Sequence, residues 1–471
     1  MFLNRVSSCG RRGAVAGAIV LLASCGGGGG GGGATGFVPF VPFVPSVPPA
    51  QTPEPPVVVK HTVGGTVSGL AGSVVLQNNA GDDLKLTADG KFTFATAIAE
   101  GSAYEVSVRT QPLWQFCTVT MGSGKVSADV ADVAVACSAA QAQVSVFAGS
   151  GAAGSAVGAG PAASFSLPYG IVFDKDRNLF VSDVQTGLLR KITPAGETTT
   201  IAGGGSFNGP VDGNGPAAYF DGLGGIALDV DGNIYATELS GNRIRKITPS
   251  ADVTTFAGDG ARRTLDGNGT AASFAGPAGL VRDATGNIYV SEYYSHVIRK
   301  ITPARDVTTI AGTPNLPGFA DGTGAAALFS GLYSMAMDKD GNLYAADSRN
   351  NRIRKITPGG VVTTLAGSGT SGSADGPGDT ASFNAPGGVA LDGDGNVYVA
   401  DTGNNLLRRI TRAGVVSTLA GQAGMTGAQN GIGSAARFKQ PYGVVVDADG
   451  TLYIADTFNN LIRKVTPVPA S

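Results

Sequence analysis

The chain's 471 residues exceed one ordinary domain, and its 73 glycines are about twice the usual share of roughly 7%. Charged residues make up only 14%, and 33 basic against 35 acidic residues leave a net charge of −2, so no excess of charge points to nucleic acid. Apolar residues at 42% suffice for a buried core, so the chain is not disordered throughout, and one tryptophan with five methionines argues against long helices.

Residues 1–24 read as an export signal. Arg5, Arg11 and Arg12 precede an uncharged apolar run, Gly13 to Leu22, far short of the ~20 residues that span a bilayer as a helix. The run ends in Leu22-Ala23-Ser24-Cys25, which resembles a bacterial lipobox. That resemblance implies acylation of Cys25 and a lipid-anchored protein of the bacterial cell envelope. Gly26 stands where lipoproteins retained in the inner membrane tend to carry Asp, so the resemblance points to the outer membrane. Residues 25–59 are a Gly/Pro-rich linker: eight glycines in a row, then Phe-Val-Pro triplets from Phe37 to Pro45. Proline at every third place favours polyproline II, a semi-rigid spacer.

Residues 60–138 read as about seven short strands, among them Val74-Val75-Leu76, Leu84-Lys85-Leu86, Phe92-Thr93-Phe94 and Tyr104 to Val108. The pattern suits a small β-sandwich and resembles the immunoglobulin-like modules that precede sensor domains in bacterial envelope proteins. Cys9 leaves with the signal and Cys25 is assigned to lipid, so Cys117 and Cys137 remain to form a disulfide in an exported chain. Two cysteines without a nearby histidine cannot complete a zinc shell.

Residues 144–467 repeat. An Arg-Lys or Arg-Arg pair begins at Arg190, Arg245, Arg299, Arg354, Arg408 and Arg463, and a phenylalanine recurs at Phe165, Phe220, Phe274, Phe329, Phe383 and Phe438. Both landmarks keep the same intervals of 54 or 55 residues, which defines six units. Each unit reads as four antiparallel strands, a β-propeller blade. The stretch from Phe383 to Asn405, with Gly388-Val389-Ala390-Leu391-Asp392 and Asn396-Val397-Tyr398-Val399-Ala400-Asp401, resembles an NHL repeat, and similar stretches occur in all six units. The fold class expected is therefore all-β, a six-bladed NHL-type propeller behind an immunoglobulin-like sandwich. The sixth unit ends before its fourth strand, so Val144-Ser145-Val146-Phe147 must supply it and close the ring.

Each unit holds an acid seven places before its arginine: Asp183/Arg190, Glu238/Arg245, Glu292/Arg299, Asp347/Arg354, Asp401/Arg408 and Asp456/Arg463. A turn midway sets acid opposite arginine across a hairpin, so these twelve residues read as structural ion pairs. Asp-x-Asp-Gly-Asn at Asp229, Asp338 and Asp392 reads as a tight turn, because a calcium loop needs twelve residues ending in glutamate. No metal ligand set, cofactor motif or catalytic residue stands out.

Two classes of activity follow. One is a binding or scaffolding propeller for a protein or glycan partner. The other is a calcium-dependent hydrolase or lyase, which the similarity to gluconolactonase-like propellers keeps open. Long loops and Asn-rich hairpins fall on one face, and the residues that vary there between units, Arg262, Arg263, Tyr293, Tyr294 and Phe458, are the candidate binding set.

Overall fold

The structure, a computed structural model, describes Pro42, Pro45, residues 57–204 and residues 211–470. The expected export signal, the expected lipidation site Cys25 and the glycine run lie outside the described residues. Among the described residues no helix is long and apolar enough to cross a membrane.

Residues 60 to 139 build two four-stranded sheets. One runs Gly90–Thr93, Val63–Ser68, Val130–Ala139, Gln115–Thr120 in spatial order; the other runs Asp82–Leu86, Val74–Asn78, Ala103–Thr110, Ser123–Lys125. Alternation along these strands buries Val63, Val74, Leu76 and Val133 in a core shared by both sheets. A further two-residue pair joins Lys60–His61 to Ile98–Ala99. The count of about seven strands is thus low: Ser123–Lys125 is short and fully exposed, so no apolar alternation marks it. Gly65 permits the close parallel approach of Val130–Ala139, since a Cβ there would stand 1.8 Å from Val133 O. Cys117 and Cys137 face each other on adjacent strands and are joined by a disulfide, worth ~3 kcal/mol in the chain-entropy model.

The described remainder forms six five-stranded sheets arranged as a propeller. The first strands (Pro168–Phe173, Leu223–Leu228, Pro277–Arg282, Leu332–Met337, Gly388–Leu391, Val444–Val446) touch one another in sequence, and the last touches the first. Between neighbouring blades lie separate apolar cores. Phe383 and Ala381, for example, pack with Val389, Val399 and Ile410 of their own blade against Tyr344 and Ile353 of the blade before. The fifth strand departs from the expected four. It is a two-residue segment of the inter-blade loop, such as Gly322–Thr323, that pairs outside the fourth strand of its blade. It follows directly on Asp212, Asp266, Asp321, Asp375 or Asn430 in the later units.

The ring closes through the two ends of the propeller segment. Gln141–Ala148 pairs antiparallel with Leu461–Val468, with Val144 opposite Val465. The core at this junction mixes Ala148, Phe165 and Ile171 with Tyr453 and Ile462. The small sandwich is seated on the face carrying the short turns: Trp114, 1% exposed and at φ 59°, packs with Tyr398, Ala142 and Val444. A Cβ at Gly450, in the turn of the sixth blade, would stand 3.5 Å from the indole nitrogen.

Val144→Ala should destabilise the protein by about 2 kcal/mol, the transfer of two methyl groups plus a cavity. Combined with Val465→Ala, residues 321 positions apart in sequence, the loss should fall short of the sum of the single losses, as it does for touching side chains. Full additivity in denaturant titrations would refute the contact.

Candidate binding face of the propeller

Each blade has an arginine at its heart. Arg190, Arg245, Arg299, Arg354, Arg408 and Arg463 are all fully buried. In blades two to six, Nη1 lies 2.5–2.9 Å from the carboxylate seven residues earlier. The acid is not directly opposite the arginine: Arg354 pairs with Ala345 and Asp347 with Arg352. The turn Ser348–Asn351 is tight, so the hairpin centre moves one place toward the N-terminus and acid and arginine become diagonal neighbours on one sheet face. A second carboxylate, missed in the sequence, meets Nη2 at 2.7–2.8 Å from Asp212, Asp266, Asp321 and Asp375. Asn430 substitutes at 2.9 Å in the sixth blade. The guanidinium also lies over the unit's phenylalanine, 5.1–5.5 Å from the ring centroid in all six blades. The signal for the second carboxylate was present, since Asp-Gly-x-Gly recurs 33 residues before four of the arginines.

The first blade is different. Val157 stands where the second acid would, Arg190 Nη1 is 3.6 Å from Asp183, and Asp183 Oδ2 has no hydrogen-bond partner. Burial, incompletely offset there, pushes Asp183 up to about 7; Asp401, better paired, is pushed up to about 6 by the same burial.

Beyond each acid comes a turn whose last residue has positive φ: Gly187, Asn242, His296, Asn351, Asn405 and Asn460, at 52–62°. Five of these side chains reach the next blade. Asn242, Asn351, Asn405 and Asn460 accept the backbone N–H of Gly276, Ala385, Gln440 and Leu167 through Oδ1, and His296 accepts that of Gly331 through Nδ1. His296 must therefore be neutral, and burial with the nearby Arg349 charge depresses its pKa.

These turns crown the mouth of the central channel. The second residue after each acid is Gln185, Ser240, Tyr294, Arg349, Gly403 and Phe458, and so differs in every blade. Tyr294 and Phe458 remain exposed at 41% and 42%. Below them Tyr169, Tyr333 and Tyr442 occupy equivalent places in blades one, four and six, where the other blades have Gly224, Ala278 and Gly387. Three large and three small residues let the rings meet on the axis, with centroids 5.2 Å apart for Tyr169–Tyr442 and 5.5 Å for Tyr333–Tyr442. Burial raises all three phenol pKa values. Tyr293 continues the cluster at 4.8 Å from Tyr333 and 5.1 Å from Tyr294. Of the sequence candidates, the structure brings Arg262, Tyr293 and Tyr294 together, with Arg262 4.6 Å from the Tyr294 centroid. Phe458 lines an apolar depression beside Tyr169, Tyr333 and Tyr442. Arg263 turns aside to Asp259, at 2.6 Å, and to Ser273. Arg349, which the sequence reading did not select, lies 4.7 Å from the Tyr293 centroid.

Under the tyrosines runs a cavity of ≈ 350 Å³ walled by residues such as Ile171, Ile226, Leu280, Met335 and Val389, with no carboxylate in its lining. Among the described residues no group of three or more His, Cys, Asp or Glu is placed to hold a metal. The aspartates of the Asp-x-Asp-Gly-Asn segments are engaged in their own turns: Asp229 accepts the N–H groups of Asp231 at 3.0 Å and Asn233 at 2.8 Å.

Sheet order and the repeated arginine centre define an all-β propeller of six repeated sheets. Residues 383–410 match the NHL repeat family. Protein SUPPRESSOR OF QUENCHING 1, chloroplastic, of Arabidopsis thaliana is 30% identical over 269 residues, covering 53% of this chain and 25% of that protein. NHL repeat-containing protein 2 of Bos taurus is 29% identical over 283 residues, covering 52% of this chain and 39% of the relative. The chain thus spans well under half the length of both relatives. A structural genomics protein of unknown function from Bacteroides thetaiotaomicron shares the fold at TM-score 0.56 and 21% identity, over 84% of this chain and 90% of that one. An auxiliary nutrient binding protein from the same organism does so at TM-score 0.53 and 13% identity, over 86% and 98%.

Replacing Arg354 by Met should cost about 3–5 kcal/mol, because Asp347 is left buried without its cation; a loss under 1 kcal/mol in urea titrations would contradict the pairing. His296 has its folded pKa below the unfolded value of about 6.5, so the unfolded state binds more protons and stability falls as pH drops below 6.5. His296→Asn keeps an acceptor at the turn and should lose less stability than the native protein between pH 7.5 and 5. Equal losses for both would refute the neutral histidine.

Proposed function

We propose that this chain is a membrane-tethered envelope propeller that holds a protein or glycan partner on its long-loop face. The observation that carries the reading is the varied rim at the channel mouth, where Tyr294 and Phe458 stay exposed on turns that the rest of the blade fixes rigidly. The opposite face is partly covered by the seated sandwich, which leaves the rim as the open surface. In this reading residues 1–24 are a lipoprotein signal, Cys25 the lipid anchor, residues 25–59 a stalk, residues 60–138 an immunoglobulin-like spacer and residues 144–467 the NHL propeller, displayed from the outer membrane. The six acid–arginine pairs serve structure. The fold-level similarity to a nutrient binding protein agrees with ligand capture.

The test compares binding to glycan arrays and to detergent-extracted envelope proteins for folded variants. Tyr294→Ala and Phe458→Ala should each weaken capture about tenfold, the equivalent of 1.4 kcal/mol, while Asp340→Ala and Asp394→Ala on the short-turn face should not. Equal losses on both faces would show the rim is not the site. In cells, labelled palmitate should enter the native chain and not Cys25→Ala; incorporation into both would remove the anchor from the proposal.

A further inference from the structure

Two guanidiniums at the mouth have no anionic partner. Arg262 and Arg349 are both exposed, and neither makes an ion pair among the described residues. Other arginines of this face are engaged: Arg243 donates to Gly241 O and Asp259 O, Arg352 to Asn350 O and Ser368 O, and Arg263 pairs with Asp259. The two unpaired ones are nonetheless held in place. Arg262 lies over Tyr294, and Arg349 lies over Tyr293 while its Nη2 donates to the Tyr293 hydroxyl at 2.9 Å. The two tyrosines are themselves T-stacked. This side of the mouth is therefore a rigid aromatic step carrying two oriented cationic forks.

Across the axis the mouth is apolar. Phe458, Leu167, Val184 and Leu239 surround a depression of ≈ 180 Å³ floored by Tyr169 and Tyr442. A ligand that satisfies both sides needs carboxylates for the forks and a flat C–H face for the rings. Bidentate Arg–carboxylate pairing supplies the first, and an aromatic surface with hydroxyl edges supplies the second. A pyranose bearing a carboxyl group has both in one residue, and the depression is the size of one such ring rather than of an extended side-chain groove.

We propose that the partner held at this rim is an acidic polysaccharide of the uronate class, with its carboxylates on Arg262 and Arg349 and a sugar ring over Phe458. The proposal rests on the binding role assigned above to the same face. An acidic peptide is the rival; it would use the forks but has no need of the Phe458 surface.

Calorimetric titration of the full chain is made with hexamers of galacturonate and of mannuronate, with maltohexaose and with hexaglutamate. At least one uronate should bind, maltohexaose at least tenfold more weakly, and hexaglutamate no better than maltohexaose. Arg262→Gln and Arg349→Gln should each weaken uronate binding about tenfold with an unchanged melting temperature, and Phe458→Ala should do likewise. Raising salt from 50 to 300 mM should weaken it further. If neither uronate binds, or if the two glutamine variants bind as the native chain does, the uronate proposal is overturned. Should hexaglutamate bind with the same dependence on the arginines, the ligand is an acidic peptide and the proposal fails in its class. Capture of a neutral glycan or a protein that needs Tyr294 and Phe458 but not the arginines would overturn the uronate proposal while leaving the binding role intact. Loss of that role itself would appear as no rim-dependent ligand on the arrays.

Discussion

A fully buried guanidinium in every blade is the constraint around which the propeller is organised. Taking such a charge out of water is costly, and it is tolerable only if oxygen atoms surround it with good geometry. Arg354 shows how many segments this recruits: Asp347 from the second strand, Asp321 from the inter-blade loop, and the carbonyls of Leu328 and Ala320 from that same loop. Phe329 then covers the guanidinium from the inter-blade core. One side chain thus fixes the hairpin, the path of the loop and the packing of the neighbouring blade. Loops of this length are ordinarily free to vary, and here Ala320, Asp321 and Leu328 are pinned to the arginine.

The turns carry that order from blade to blade. Because Asp347 must face inward to meet its arginine, the following residues turn sharply and Asn351 enters the left-handed region. Its amide oxygen then accepts the N–H of Ala385 in the next blade. The same contact from Asn460 to Leu167 joins the last blade to the first. Only Gly187 has no side chain for it, and the first blade is also the one whose ion pair is loosest. Tyr293, Tyr294, Arg349 and Phe458 sit one or two places from these fixed points. Chemistry can therefore change at the mouth without disturbing the frame that presents it.

Much of this was legible in the residues and some was not. Two landmarks of fixed interval defined the six sheets, and the paired acid and arginine identified the hairpins. Closure followed from counting strands at the two ends of the repeats. What escaped were features with no period of their own. A two-residue outer strand such as Gly322–Thr323 shows no alternation, and its Asp-Gly-x-Gly setting resembles any tight turn. The diagonal placing of Asp347 and Arg354 depends on one residue of turn length, which backbone geometry decides. Tyr169, Tyr333 and Tyr442 lie far apart in the chain, and only superposing the repeats shows that they share a place on the axis. Arg349 was missed for the same reason, since nothing near it in sequence marks it as a neighbour of Tyr293.

The pairing of Gln141–Ala148 with Leu461–Val468 also sets a timetable. A ribosome delivers the first of these strands more than three hundred residues before its partner. Through that whole interval the first strand has no companion, and its exposed edge is open to pairing with any other chain. The blades between can assemble side by side as they emerge, yet the ring cannot shut until Leu461–Val468 has emerged, and the loop it must then close is over three hundred residues long. A nascent or truncated product would be an open arc with two sticky ends, inclined to join another arc of its own kind instead of circling back on itself.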